Sequence, residues 1–383
     1  MPTLPAPDAD QQAASEALSA RLHARLAETG WLSFADFMRE ALYAPGLGYY
    51  SGGSRKFGAA GDFVTAPELS PLFGAAMARP LAQVLDEIGG SILEAGAGTG
   101  RLALDILSEL DRLGRLPERY LILELSAELA ERQRQTLAQR PDLLARVAWL
   151  DRLPQRLVGA VIGNEVLDAM PCRLLRQRQG QWQERGVVAA GQGFAWEDRP
   201  LHEPELAAQL PPGDYPEGYT TEVQSEAQGF VASLFEVVER GALLLLDYGF
   251  PAAEFYHPQR HGGTLMCHYR HHAHDDPLFW PGLQDITCHI DFSAIWRAAT
   301  LAGWRLEGYT SQASFLLDAG LLELLARHDP ADARHYAPVA AAVQRLLSPA
   351  EMGELFKAIG FSKDMQLDGL LAGFRRDDRS AAL

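Results

Sequence analysis

Residues 92–100 read ILEAGAGTG: an apolar run, an acid, then glycine at every second place. The run has the pattern of a buried strand, and glycines so spaced make a turn where a ligand can approach the backbone closely. A dinucleotide turn needs G-x-G-x-x-G, its third glycine letting helix and strand pack and its pyrophosphate sitting on the helix N-terminus. Here Gly96, Gly98 and Gly100 alternate, and the place of that third glycine holds Arg101. Glu94, two residues before the first glycine, would repel a pyrophosphate but can hold an ammonium group. E-x-G-x-G-x-G after a strand therefore points to S-adenosylmethionine (SAM), a phosphate-free nucleoside. Its amino-acid moiety and ribose would lie over Gly96, Ala97, Gly98, Thr99 and Gly100.

The strands that follow extend this reading. YLILE (120–124) ends in Glu124, whose carboxylate can accept both ribose hydroxyls, a geometry that SAM and NAD share; Leu125 follows at the same strand end. VAWL (147–150) leads to Asp151, which either meets the adenine amino group or caps a helix. LVGAVIGNE (157–165) is a fourth strand and GALLLLDYGF (241–250) a fifth. Between them, RLALDILSELDRLG (101–114) and SAELAERQRQTLAQR (126–140) are helices, the first ended by Gly114 and the second capped by Ser126. Strand–helix alternation with near-continuous apolar strands predicts an α/β fold with a doubly wound, mostly parallel sheet. Ligands of such sheets bind beyond the strand carboxyl ends. GNEVLDAMP (163–171) thus brings Asn164 to the cofactor and Glu165 and Asp168 to a methyl acceptor; the alternative is an N-cap cluster for a following helix.

Outside this alternation the pattern predicts a disordered tail over 1–12 and helical spacing over 13–43, with Leu18, Leu22 and Leu26 on one face. A glycine- and aromatic-rich loop runs over 46–71, and a helix over 71–88. Residues 173–220 read as a hairpin insertion turning at Gln179–Gly180, and 316–329, 337–347 and 351–360 read as helices. The expected division is an N-terminal helical cap and loop (1–80), a cofactor-binding core (81–310) and a C-terminal helical extension (311–383). DITCHIDF (285–292) alternates as a strand, placing Thr287, His289 and Asp291 on one face. His289 would there accept a departing proton or line an acceptor channel; the alternative is a structural histidine satisfied by Asp291. HYRHHAH (268–274) carries four histidines near Cys267 without convergent ligand spacing, and no metal site is expected from it.

Composition bounds the function. The 383 residues are 47% hydrophobic and 22% charged, enough for more than one core, with no apolar run of bilayer length. A net charge of −16 argues against a nucleic-acid backbone as the main partner. Cys172, Cys267 and Cys288 form no CxxC pair, which suits a reducing cytoplasm. The N-terminus is acidic before Arg21, with neither a signal-peptide apolar region nor the basic character of a transit peptide. Lysine occurs only at positions 56, 357 and 363, an arginine and alanine bias typical of a GC-rich bacterial genome, so the expected location is a bacterial cytoplasm.

Together, FGAAGDFVTAPELSPLFG (57–74), ILEAGAGTGRLA (92–103), GNEVLDAMP, LLLLDYG (243–249), GTLMCHYRHHAHDDPL (263–278) and DITCHIDF resemble the MidA-like SAM-dependent methyltransferases. That family includes the mitochondrial complex I assembly factor that methylates a protein arginine. The similarity covers most of residues 30–310 in the expected order, and GDFVTAPE and NEVLDAMP are far more specific to it than the glycine turn. The resemblance implies a Rossmann-like seven-strand sheet, SAM as donor, and an arginine of a respiratory-complex subunit as acceptor. A guanidinium, with its pKa above about 12, is not deprotonated by an ordinary base in free solution. Paired carboxylates can instead orient it and localise its charge, with Glu165 the first candidate and Asp168 the second. The rivals are an NAD-type oxidoreductase, a SAM-binding assembly chaperone without activity, and a methyltransferase of a small molecule or RNA. Homo-oligomerisation stays open.

Overall fold

Strands buried on both faces show no polar alternation, and the short apolar runs of this chain collect, as such strands do, into one sheet. The computed structural model describes residues 4–52, 65–367 and 369–383; the centre of the predicted 46–71 loop, including FGAAGDFV (57–64), lies outside them. The chain divides into two compact units. One comprises Met1–Phe63, Leu167–Gly229 and Phe250–Ala294, the other Val64–Val166, Phe230–Gly249 and Ile295–Leu383.

The second unit holds the sheet. Its strands in chain order are β1 (Ser91–Ala95), β2 (Tyr120–Leu123), β3 (Val147–Leu150), β4 (Leu157–Asn164), β5 (Val238–Phe250), β6 (Arg305–Ser311) and β7 (Phe356–Lys363). They lie in the order β6-β7-β5-β4-β1-β2-β3. β1 to β5 pair in parallel, and β7 runs antiparallel to both β5 and β6. Strand order reverses between β1 and β4, the place where open α/β sheets bind ligands. The predicted glycine turn follows β1 and NEVLDAMP follows β4, so both motifs leave the sheet at that switch point. Helix Arg101–Leu113 ends as expected at Gly114, at φ 67°, and Ala127–Leu137 is capped by the Ser126 side chain, which accepts the Leu129 N–H at 3.3 Å. The core of this unit is built from Phe73, Met77, Leu107, Tyr120, Ile162 and Leu244 and their neighbours.

The first unit is antiparallel and helical. The predicted hairpin is present as Arg173–Arg178 and Gln181–Ala190, joined by Gln179 and Gly180 at φ 51° and 76°. Two successive left-handed residues are the geometry a two-residue hairpin favours. Thr220–Val223 pairs with the first of these strands, and Gly193–Pro200 and Leu32–Ser33 pair with the second. Leu18, Leu22 and Leu26 do face one core, together with Phe34, Phe37 and Cys172.

Several expectations need correction, among them the helix over 316–329, which left-handed Gly320 at φ 85° divides into Gln312–Asp318 and Leu321–Leu325. The helix of the predicted tail begins at Ala9, because Asp8 and Gln11 form a reciprocal capping box. The span 13–43 is broken at Gly30, a left-handed C-cap, into Ala9–Thr29 and Phe34–Tyr43. The 351–360 segment supplies β7 instead of a helix; β7 is buried along nearly its whole length between β5 and β6, so no alternation marked it as a strand. DITCHIDF is two short strands, Asp285–Thr287 and Ile290–Asp291, interrupted at Cys288 and His289. Among the described residues, no helix is long and apolar enough to cross a membrane.

Candidate functional site

The glycine turn has the backbone its sequence demands: Gly96, Gly98 and Gly100 all have positive φ, at 65°, 51° and 81°. Their roles differ. A Cβ on Gly100 would stand 3.0 Å from the Gln133 Cα, so that glycine lets the two helices pack closely. A Cβ on Gly98 would meet nothing within 4 Å, so its bareness leaves space open. Ala97 is buried, and the Thr99 hydroxyl donates to the Glu68 carboxylate.

Glu94 is 1% exposed and accepts the Tyr120 phenol at 2.7 Å. Burial pushes its carboxyl up to about 7, the phenol pulls it down in part, and the charge of Glu124 raises it further. Glu124 lies just past β2, where the sequence put it. One of its oxygens accepts the Ser126 N–H and the other the Gln133 amide, each at 2.8 Å. The same Gln133 nitrogen donates to the Gly98 carbonyl at 3.0 Å, and the Gln133 oxygen accepts the Trp149 indole N–H at 2.8 Å. Gln133 therefore ties β2, β3 and the glycine turn together. Sequence reasoning missed it, yet it occupies the apolar stripe of its helix with Leu129, Ala130 and Leu137, and a polar residue on such a stripe is a readable sign. Glu68, inside the TAPELSP segment, was also missed. Leu125 is 76% exposed, an apolar surface beside Glu124. Asp151 is exposed after β3; no helix follows it, so it caps none.

At the end of β4 the backbone turns sharply. Glu165 has φ 52°, a left-handed conformation that costs a non-glycine residue about 1–2 kcal/mol. It is held there by its N–H, which donates to the Leu246 carbonyl at 2.9 Å. The Asn164 amide donates to Glu165 Oε1 at 3.0 Å. Val166 packs on the glycine turn: a Cβ on Gly96 would meet its Cγ2 at 3.0 Å, and one on Gly163 its Cγ1 at 2.8 Å. The Asn164–Glu165 turn and the glycine turn are thus direct neighbours. No helix follows; the next element is the strand Arg173–Arg178, so the N-cap alternative for Asp168 falls away.

Asp168 and His289 belong to the first unit. Asp168 is buried, and its carbonyl accepts the Cys288 N–H at 3.1 Å, which sets it beside the residue preceding His289. His289 is pinned through its backbone: its N–H donates to the Thr264 hydroxyl at 3.0 Å and its carbonyl accepts the Gln224 amide at 2.7 Å. Its ring stands edge-on to Phe250 at 5.1 Å. Asp291, its expected partner, accepts the Ala294 N–H at 3.0 Å.

Residues 76–310 match the family described as "Putative S-adenosyl-L-methionine-dependent methyltransferase". Over its full length the chain is similar to a protein from Burkholderia thailandensis crystallised with S-adenosyl-homocysteine, with 53% identity, both chains covered completely and a TM-score of 0.96. It is also similar to the mitochondrial protein arginine methyltransferase NDUFAF7 homolog of Drosophila melanogaster, 29% identical over 92% of this chain and 86% of that one. The NDUFAF7 protein arginine methyltransferase of Danio rerio is 28% identical over 88% and 84%.

Proposed function

The chain belongs to this family of S-adenosyl-L-methionine-dependent methyltransferases, and on that premise we propose that its methyl acceptor is an arginine side chain of a protein, a respiratory-complex subunit among the candidates. The observation that carries the reading is Glu165: a carboxylate held in a strained left-handed turn at the switch point, one residue from the Val166 that packs on the glycine turn. Strain is retained at such places when a side chain must be presented in one direction. The NDUFAF7 relatives named above are protein arginine methyltransferases, which supports the same acceptor.

In this reading Gly96 to Gly100 make room for the amino-acid moiety and ribose, Glu94 faces the ammonium, and Glu124 accepts the ribose hydroxyls. Leu125 and Asp151 flank the adenine. Glu165 holds the guanidinium by charge-assisted hydrogen bonds and concentrates its positive charge on the nitrogens it binds. The free nitrogen then attacks the methyl carbon in line, the C–S bond breaks, the sulfonium becomes a neutral thioether, and the attacking nitrogen gives up one proton. Alignment provides much of the acceleration. Asp168, three residues further along the chain, stays the second candidate carboxylate on sequence grounds, and His289 the candidate to take up the proton.

The test is methylation of proteins from a strain lacking this gene, using purified enzyme and SAM labelled in the methyl group, followed by mass spectrometry. Label should appear on arginine. Glu165→Gln keeps the shape and loses the charge, so transfer should fall by roughly a hundredfold or more while SAM affinity stays within about twofold. A Glu165→Gln variant that methylates at the normal rate, or that fully complements the deletion, would remove Glu165 from the chemistry and favour the assembly-chaperone reading.

A further inference from the structure

Asn164 is the last residue of β4 and pairs in register with Leu246 of β5. Its side-chain nitrogen donates to Glu165 Oε1, and a carboxylate oxygen can only accept, so the orientation of the amide is fixed by chemistry. The Asn164 oxygen is therefore the atom left over. It is buried and accepts no hydrogen bond among the described residues. A buried acceptor left unpaired is unfavourable, and one kept at the carboxyl end of a strand beside the switch point suits a donor brought by a ligand.

The topology says which donor. Counting outward from β1, the carboxylates suited to the cofactor lie on β1 itself and past β2, in Glu94 and Glu124, with Leu125 and Asp151 continuing toward β3. The nucleoside reading thus runs from β1 toward β3. β4 is the neighbour of β1 on the other side, and Asn164 shares its turn with Glu165 rather than with any of these residues. We infer that the Asn164 side-chain oxygen accepts an N–H of the methyl-accepting nitrogen, making Asn164 a residue that positions the acceptor and not one that binds the cofactor. The inference rests on the methyl-transfer reading, and it deepens the arginine proposal without depending on it: any acceptor nitrogen that carries a hydrogen can make this bond. A neutral amide takes no proton. It fixes the nitrogen by one N–H, so that the attacking face points at the methyl carbon, and Glu165 supplies the charge.

Asn164→Leu has nearly the shape of asparagine and removes both polar atoms. Calorimetry with SAM, thermal melting, and label transfer to the deletion-strain proteome would be measured on the full chain. The expected result is SAM affinity within about threefold of the native chain and a melting temperature within about 2 °C, since loss of an orphaned acceptor offsets loss of the bond to Glu165. Transfer should fall about a hundredfold. Asn164→Gln carries the same amide, donor and acceptor both, one methylene further out, sets no second carboxylate against Glu165, and should regain at least about tenfold over Asn164→Leu. Unchanged transfer in Asn164→Leu overturns the inference. So does SAM affinity that falls in step with the rate, which would return Asn164 to the cofactor. A rate lost together with several degrees of melting temperature, and not regained by Asn164→Gln, would make the residue structural. Label found on an amino acid other than arginine would sink the arginine proposal alone, because the rate comparison applies to whichever acceptor nitrogen is labelled.

Discussion

β4 and the middle of β5 run LVGAVIGN beside GALLLL, with no charged side chain along the paired stretch from Gly159 to Asn164. The hairpin of the first unit does the reverse. There Arg173 forks onto Glu184 across the strands, and Arg185 onto Asp198 at 2.7 and 3.1 Å, with Glu184 only 6% exposed in its side chain. The central β4–β5 pair is held by apolar burial, and the Asn164–Glu165 turn follows at its carboxyl end. The other spends charged groups on holding itself together. A buried carboxylate therefore means different things in the two: near the parallel strand ends it is a candidate for ligand chemistry, and in the antiparallel sheet it is first a structural partner.

The comparison can be broken by substitutions that should separate cofactor binding from stability. The largest effect is expected at Gly98. A Cβ there meets no atom of the described residues within 4 Å, so Gly98→Val should fold with a modest loss from its positive φ, yet fill the space proposed for the cofactor. SAM affinity should drop by about a hundredfold or more, since even a displacement of the ligand by a methyl-sized group removes several contacts. Calorimetry showing native affinity would mean the turn does not touch the cofactor. Next comes Glu184→Ala, which leaves Arg173 half-buried with only Glu203, at 3.1 Å, as an ion-pair partner among the described residues. Stability should fall by about 1–3 kcal/mol with SAM affinity unchanged, read by denaturant melts beside calorimetry. Weakened SAM binding in this variant would erase the distinction between the two sheets.

The smallest effect sharpens the comparison through pH. The Glu94 carboxyl is raised from 4.5 to about 7, so between those values the folded chain keeps a proton that the unfolded chain has lost. Stability of the unliganded protein should accordingly decline as pH rises from about 4.5 to 7. An ammonium brought against Glu94 favours the charged form and lowers that pKa. SAM binding near pH 7 should then expel a fraction of a proton, and affinity should rise severalfold between roughly pH 6 and 8. Glu94→Gln should abolish both trends. Calorimetry in buffers of different ionisation enthalpy measures the proton directly, and the absence of any release in the native chain would separate Glu94 from the ammonium.

What could be read from the sequence divides along the same line. The parallel strands, the glycine turn, the Ser126 cap and the position of Glu124 are all written locally, in runs of about ten residues, and the structure has them where the pattern put them. The 351–360 segment has the pattern of a helix because Glu351, Met352, Glu354 and Leu355 are good helix formers and FKAIGF is buried on both faces, leaving no period of two to detect. The partners of the hairpin, Leu32–Ser33 and Thr220–Val223, come from far along the chain and have no local mark. The site shows the same limit. Glu94, Glu124 and Glu165 stand out as acids at strand ends, whereas Gln133 and Glu68 become visible only when the fold brings them to Glu124 and Thr99.

Gln133 has one more consequence, an optical one. Of the seven tryptophans in the chain, Trp149 alone donates its indole N–H to the amide that also fastens Glu124 and the Gly98 carbonyl, and the Arg134 guanidinium lies 4.6 Å from its ring centre. Indole emission responds to the charge above the ring and to the strength of its N–H bond. Any ligand that draws on Glu124 or presses on the glycine turn acts on that amide, so the protein carries its own fluorophore wired to the glycine turn, with six other indoles as its background.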